Sequence, residues 1–188
     1  MFPRETGNPY NIDETHVSVG FDHTLLIGIV SDSHDCLPKI DRAVTLLNSL
    51  GVDNVLHAGD YCAPFAALRF GRLKTKMFGV FGNNDAEKHL LQTKFQALGH
   101  ELRGQFAGLD LGGIKIALLH GDEPELLQAI IDSQAYDLVV FGHTHSISQS
   151  KNGKTMTLNP GEICGYVSGK STIATFETSN RHVEILDI

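Results

Sequence analysis

Residues 25–34 read LLIGIVSDSH, and this stretch decides the fold. Its first seven residues are a continuous apolar run with β-branched side chains, typical of a strand that is buried on both faces. Asp32, Ser33 and His34 follow directly where the strand ends. Because open α/β sheets collect ligands at the carboxyl ends of their strands, we expect these polar residues to lie in a crevice.

Strand and helix patterns alternate after this stretch. A stripe of leucine, isoleucine and valine side chains predicts a helix that ends at Gly51. Pro64 is suited to the first turn of a short helix, and Asp85 to the N-cap of a longer one. The predicted elements are a helix over 37–51, a strand over 52–60, a short helix over 63–73, a strand over 76–84 and a helix over 86–98.

Strands dominate the second half. Gly112 and Gly113 suit the two-residue turn of a hairpin within residues 109–121. The remaining predictions are a helix over 124–134, a strand over 137–145 and short strands over 155–161, 171–177 and 182–188. This order favours a mixed α/β fold with the helices outside the sheet. Residues 1–24 are polar and aperiodic, so we expect a flexible extension before a domain over 25–188.

Composition narrows the class of protein. The 188 residues suit one domain, and 15 basic against 22 acidic residues give a net charge of -7, which argues against strong nucleic-acid binding. Cys36, Cys62 and Cys164 form no disulfide framework, so we expect a reducing cytoplasm. No apolar run is long enough to span a bilayer and no signal peptide is evident, so no membrane partner is expected.

Five short motifs at predicted strand ends carry metal-ligating side chains. Imidazole and carboxylate ligands suit Mn, Fe, Zn, Co or Ni better than Ca or Mg. Seven side chains exceed the three or four that one catalytic ion uses, so two ions that share a carboxylate are expected. Two such ions can stabilise the attacking and the leaving oxygen of an in-line displacement at phosphorus. The seven are Asp32, His34, Asp60, Asn83, His120, His143 and His145.

Each motif also has a purely structural interpretation. An isolated Gly59-Asp60 pair is most often a turn, and His57 suits a hydrogen-bonded histidine within the core. The cysteines suit small buried apolar positions, and no base beside them indicates a catalytic thiol. A mononuclear metallohydrolase acting on another class of ester is a further alternative.

The ordered motifs DSH, GD, GNND, HG and GHTH resemble the calcineurin-like metallophosphoesterase superfamily, most of all its small prokaryotic phosphodiesterase branch. The resemblance covers residues 25–188 and implies a β-sandwich of two mixed sheets flanked by helices. It also implies two divalent transition-metal ions, Mn first and Ni, Fe, Zn or Co as alternatives, with a bridging hydroxide that attacks a small phosphate ester in line. By resemblance, one ion would be held by Asp32, His34, Asp60 and His145, and the other by Asp60, Asn83, His120 and His143.

The resemblance also implies roles around the metals. Asp60, Asn83 and Asn84 form the expected catalytic set, and Asn84, Asp122, Asn159 and Gly161 the expected substrate-facing set. Two positions depart from the family pattern, because many relatives have histidine where this chain has Asn84 and Asp122. Asn84 cannot protonate a leaving group, so activated aryl diesters are expected to react faster than alkyl esters.

Two further expectations come from relatives in the same superfamily. A non-catalytic scaffold that binds other proteins, as Vps29-like members are regarded, is the alternative to an enzyme. Homodimers occur among the relatives, which makes a homodimer an additional expectation for this chain.

Overall fold

The computed structural model describes residues 24–188. The predicted extension over 1–24 therefore lies outside the described residues, apart from Thr24, which is exposed. In chain order the described elements are β1 (Leu26–Val30), α1 (Leu37–Leu50), β2 (Asn54–His57), α2 (Ala67–Phe70), β3 (Lys76–Gly79), α3 (Lys88–Ala97), β4 (Glu101–Leu102), β5 (Phe106–Leu111), β6 (Ile114–Leu119), α4 (Pro124–Asp132), β7 (Leu138–Val140), β8 (Ile147–Asn152), β9 (Thr155–Pro160), β10 (Thr172–Glu177) and β11 (His182–Asp187).

The strands form two mixed sheets. The first has the order β11-β10-β1-β2-β3-β4, and the second the order β5-β6-β7-β9-β8. In the first sheet β1 to β4 run parallel, whereas β10 pairs antiparallel with β1. In the second sheet β6, β7 and β9 are parallel, and β5 and β8 pair antiparallel at the edges. The predicted β-sandwich of mixed sheets flanked by helices is confirmed.

The main apolar core lies between the two sheets. Ile27 and Ile29 of β1 and Leu56 of β2 belong to the same buried cluster as Ile116 of β6 and Val140 of β7. This explains the uninterrupted apolar runs, because strands covered on both faces have no solvent-facing side to keep polar.

Helices cover the outer faces. Ile40, Val44 and Leu47 of α1 are buried in a second cluster beyond the first sheet, and Gly51 ends the helix as predicted, with φ 68°. That positive φ is natural for a glycine that follows a helix. On the other sheet, the partly buried Ile130 of α4 packs with its neighbours against Val139 and two other buried residues.

Several predicted details are wrong. α2 spans only Ala67–Phe70, and Pro64 lies in the turn before it rather than in its first turn. α3 begins at Lys88 and has no side-chain cap, because Asp85 turns inward to other backbone groups. β4 and β8 were not predicted, since β4 has two residues and β8 is an exposed edge strand without apolar alternation.

The topology brings the loops that follow five strands to one region of the molecule. β1, β2 and β3 are parallel neighbours in one sheet, and β6 and β7 are parallel neighbours in the other. Their carboxyl ends carry the motifs singled out above. Between residues 24 and 188, no helix is both long and apolar enough to cross a membrane.

Candidate metal centre

The seven predicted ligands lie in the loops after these five strands, and their side chains meet around Asp60. The Asp60 Oδ2 atom lies 3.5 Å from His34 Nε2 and 3.3 Å from His120 Nε2. Asp60 is 1% exposed. One buried carboxylate thus stands between two imidazoles that come from opposite sheets.

On one side of Asp60 the donors are Asp32, His34 and His145. Asp32 Oδ1 lies 3.7 Å from His34 Nε2 and 3.5 Å from His145 Nε2, and the two rings stack with centroids 5.0 Å apart. Asp32 Oδ1 and His34 Nε2 are buried without a hydrogen-bond partner. Since buried polar atoms are nearly always paired, these two atoms fit a cation between them.

On the other side the donors are Asn83, His120 and His143. Asn83 Oδ1 lies 3.0 Å from His120 Nε2 and 3.2 Å from His143 Nδ1. The two imidazole rings meet edge to face, 5.2 Å apart. With Asp60 Oδ2 near His120, this side offers carboxylate, amide and imidazole donors, a set that suits a divalent transition metal.

Two of these histidines are oriented from behind. His120 Nδ1 donates to the Ala58 carbonyl oxygen at 2.8 Å, and His145 Nδ1 donates to Glu162 Oε2 at 2.7 Å. Nδ1 therefore carries a proton in each ring, which leaves Nε2, directed toward Asp60 or Asp32, as the atom available to a metal ion. Such an acceptor behind a ligating histidine fixes its tautomer and its ring orientation.

Electrostatics favour a cation in this region. Burial would raise the pKa of Asp60, but hydrogen bonds from His120 and Asn84 outweigh it and hold that pKa well below its usual value. The Asp32 carboxylate raises the pKa of His34, and Asp60 raises that of His120 against the opposing effect of burial. Negative charge at Asp32 and Asp60 therefore attracts either protons or metal ions.

The backbone of the ligand loops is unusual. Five of the seven ligand residues have positive φ although none is glycine, namely Asp32 (52°), His34 (39°), Asp60 (61°), His143 (64°) and His145 (57°). Such conformations are costly and concentrate at functional sites. Their clustering here agrees with loops shaped to direct these side chains inward.

Two glycines permit the close approach of the loops. A Cβ atom on Gly82 would lie 2.2 Å from Asp60 Oδ1, and one on Gly142 would lie 2.6 Å from Asp32 Oδ2. Any side chain at either position would collide with a predicted metal ligand. The glycines in GNND and GHTH therefore have a steric role at the site.

The residues expected to face substrate occupy different surroundings. Asn84 donates to both oxygens of Asp60 at 2.8 Å, through its backbone N–H and its side-chain amide. Asp122 is exposed and lines a cavity of about 190 Å³ beside His120. Asn159 is buried and donates to the Gly142 carbonyl oxygen, and its own oxygen accepts the N–H of Gly161. These bonds support the GHTH loop from behind.

Two buried carboxylates were not predicted as parts of the site. Asp85 accepts the backbone N–H groups of Asp60, Cys62 and Gly82, so it joins two ligand loops, and burial raises its pKa. Glu162 Oε2 accepts a hydrogen bond from His145 Nδ1. The position of Glu162 directly after the Asn159-Pro160-Gly161 segment was the available signal for the second.

The interpretation of His57 agrees with the structure. The interpretation of the cysteines holds only for Cys164, because Cys36 and Cys62 are partly exposed. His57 is fully buried, its Nδ1 accepts the Gly59 N–H, and burial lowers its pKa to about 3. All three cysteines are free. The Cys62 sulfur lies 3.3 Å from His34 Nδ1, and Cys164 lies near His34 and His145. Burial raises the pKa of both thiols to about 12, which favours their protonated form.

Comparison with known proteins finds relatives along most of the chain. Residues 25–181 match the model of the calcineurin-like phosphoesterase superfamily domain. Phosphodiesterase MJ0936 of Methanocaldococcus jannaschii is 33% identical over 82% of this chain and 94% of its own, and phosphodiesterase YfcE of Escherichia coli is 26% identical over 71% and 76%.

Solved structures give the same result. The structure of a novel archaeal phosphodiesterase superposes with a TM-score of 0.84 at 31% identity, over 87% of this chain and all of the other. Vps29 of Chaetomium thermophilum has a TM-score of 0.62 at 16% identity, over 87% and 97%, and shows the fold alone. Because the family model matches most of the chain and the identity to MJ0936 extends along nearly all of that protein, the chain belongs to the calcineurin-like phosphoesterase superfamily.

Proposed function

We propose that this protein is a phosphodiesterase that uses two divalent metal ions sharing Asp60. The observation that carries the proposal is the cluster of seven donors, in which the buried Asp60 carboxylate lies between His34 and His120. Asp32 Oδ1 and His34 Nε2 have no hydrogen-bond partner. Asp32, His34 and His145 would hold one ion with Asp60, and Asn83, His120 and His143 would hold the other.

The two ions would supply a strong oxygen nucleophile at neutral pH for attack in line with the leaving group, and positive charge against the phosphoryl oxygens. The protein keeps this site anionic and in place. Asn84 holds both oxygens of Asp60, and Glu162 and Ala58 hold the imidazoles of His145 and His120. These contacts are formed before substrate arrives, so little reorganisation is needed during reaction.

The surroundings of the site favour good leaving groups. Asn84 occupies the position next to Asn83, and its amide is engaged with Asp60 and cannot act as an acid. A missing general acid costs typically about 10²–10⁴-fold in rate, most where the leaving group is basic. Aryl diesters, whose leaving groups depart as stabilised anions, are therefore the expected substrates. MJ0936 and YfcE carry the name phosphodiesterase, which supports the same choice.

The donor set suits Mn, Ni, Fe, Zn and Co, because imidazole and carboxylate ligands accept all of them, and Mn is the first choice by the family resemblance. All seven donors are present and converge, which favours an enzyme over a scaffold that binds only proteins. The position of Asp60 Oδ2 between His34 and His120 favours two ions over one.

The test is hydrolysis by the full chain after dialysis with Mn²⁺. The substrates are bis(p-nitrophenyl) phosphate, p-nitrophenyl phosphate and a dialkyl phosphate. We expect the aryl diester to react fastest and chelation by EDTA to abolish the activity. Fastest turnover of p-nitrophenyl phosphate would contradict the diester assignment, and fastest turnover of the dialkyl phosphate would contradict the preference for good leaving groups. Activity that survives chelation would contradict the metal assignment.

A further inference from the structure

We propose that Glu162 is a positioning residue, which holds His145 in the tautomer that a metal ion needs and ties the loop over 164–168 to that same ligand. The inference rests on the proposed function, because it assigns His145 to a metal site. It concerns a carboxylate that lies outside the seven donors and makes no direct contact with the expected ions.

The contact with His145 is short and directional. Glu162 has no exposed surface, and its Oε2 lies 2.7 Å from His145 Nδ1. Backbone N–H groups donate to both carboxylate oxygens, so neither oxygen has to carry a proton. The hydrogen between the two residues therefore belongs to Nδ1, and Nε2 faces Asp32 Oδ1 at 3.5 Å.

The remaining contacts of Glu162 organise one loop. Its oxygens accept the backbone N–H groups of Tyr166 at 3.1 Å, Val167 at 3.0 Å and Ser168 at 2.6 Å. The Ser168 hydroxyl donates at 2.7 Å and the Cys164 thiol at 2.8 Å. Six hydrogen-bond donors, including His145 Nδ1, thus satisfy this carboxylate, which has no solvent-exposed surface. A buried charge without such donors would be very costly.

This arrangement joins two parts of the molecule through one side chain. His145 is a predicted ligand, whereas Tyr166 and Val167 are 66% and 71% exposed on the loop. Glu162 Oε2 bonds both His145 and the loop backbone, so loss of the carboxylate releases both together. A contributor to the loop alone, such as the Ser168 hydroxyl, has no bond to the imidazole.

The test compares E162A with S168A and measures Mn²⁺ affinity from the free-ion signal in electron paramagnetic resonance. Loss of an acceptor behind a ligand typically costs about 10–100-fold in metal affinity. We expect that loss at one of the two sites in E162A and less than about a threefold change in S168A. In an H145A background, E162A is expected to add less than about threefold, because its effect passes through the absent imidazole.

A second measurement needs no metal. Imidazole ¹⁵N spectra of the metal-free chain should show His145 with its proton on Nδ1 in the wild type and mostly on Nε2 in E162A. Unchanged tautomers, or an equal loss of affinity with and without His145, would overturn the proposal.

If E162A does not fold, E162Q replaces it, because it keeps the volume but has one acceptor oxygen; full wild-type affinity in E162Q would also overturn the proposal. A wild-type chain that binds no Mn²⁺ would overturn the proposed function, while the tautomer measurement would still decide the role of Glu162.

Discussion

At the scale of single residues, Asp60 is the most sensitive position. D60N removes the charge that stands between His34 and His120 but keeps the shape of the side chain. We expect hydrolysis to fall by on the order of 10³-fold, as when one preorganised electrostatic contact is lost. Circular dichroism should show an intact fold, and D110N, at an exposed position on β5, should retain full activity. Comparable rates in D60N and wild type would contradict the shared ligand.

Asn84 gives a second prediction at this scale. N84A removes the amide that donates to Asp60 Oδ2 at 2.8 Å. Because Asn84 supports Asp60 and supplies no proton, we expect kcat for aryl and alkyl diesters to fall by the same factor, about tenfold. The measurement is the ratio of the two rates in N84A and in wild type. A loss confined to the alkyl ester would show that Asn84 assists the leaving group after all.

At the scale of elements, the buried end of β2 predicts a pH dependence of stability. Burial lowers the pKa of His57 from 6.5 to about 3. The neutral form is favoured in the folded chain, so its contribution is fully present above pH 6.5 and is lost as the pH falls toward 3. Between these values the free energy of unfolding should drop by about 1.4 kcal/mol per pH unit from this residue alone.

Urea unfolding with EDTA present, at pH 7 and pH 5, measures the effect. H57Q keeps an acceptor for the Gly59 N–H but cannot be protonated, so its stability should fall less between the two pH values than that of wild type. The exposed variant H89Q serves as the control and should behave as wild type. Equal pH dependence in H57Q and wild type would contradict a neutral His57 in the core.

The loop after β3 gives a steric prediction. A Cβ atom in G82A would lie 2.2 Å from Asp60 Oδ1 and 2.8 Å from the Asp60 backbone nitrogen, so the two ligand loops must separate. We expect Mn²⁺ affinity to fall at least about tenfold and stability to fall by about 1–3 kcal/mol. G108A is the matched control, because its nearest neighbour would be 3.6 Å away. Wild-type Mn²⁺ affinity in G82A would contradict the steric role of Gly82.

At the scale of the whole molecule, much of the architecture could be predicted from the sequence. Strands buried on both faces, such as β1, have apolar runs that few other structures require, and the polar residues after them mark the sheet ends. The edge strand β8 has no such pattern, because it is exposed along its whole length and is held by pairing with β9. The position of β8 therefore depends on its pairing with β9, which the local sequence pattern does not reveal.

The same contrast between local pattern and long-range contacts applies to the site. Motifs after strands identified the seven donors, because each motif is local and its residue types are chemically distinctive. The roles of Asp85 and Glu162 in the site could not be predicted, because they depend on hydrogen bonds to loops whose positions are set only in the folded chain. A carboxylate suited by sequence to a helix cap instead satisfies three backbone donors in the core.

The most direct test of the central claim is anomalous diffraction from crystals of the full chain soaked in Mn²⁺. We predict two peaks about 3.5–4 Å apart, both against Asp60, one beside His34 and His145 and the other beside His120 and His143. A single peak, or two peaks of which only one contacts Asp60, would contradict the account.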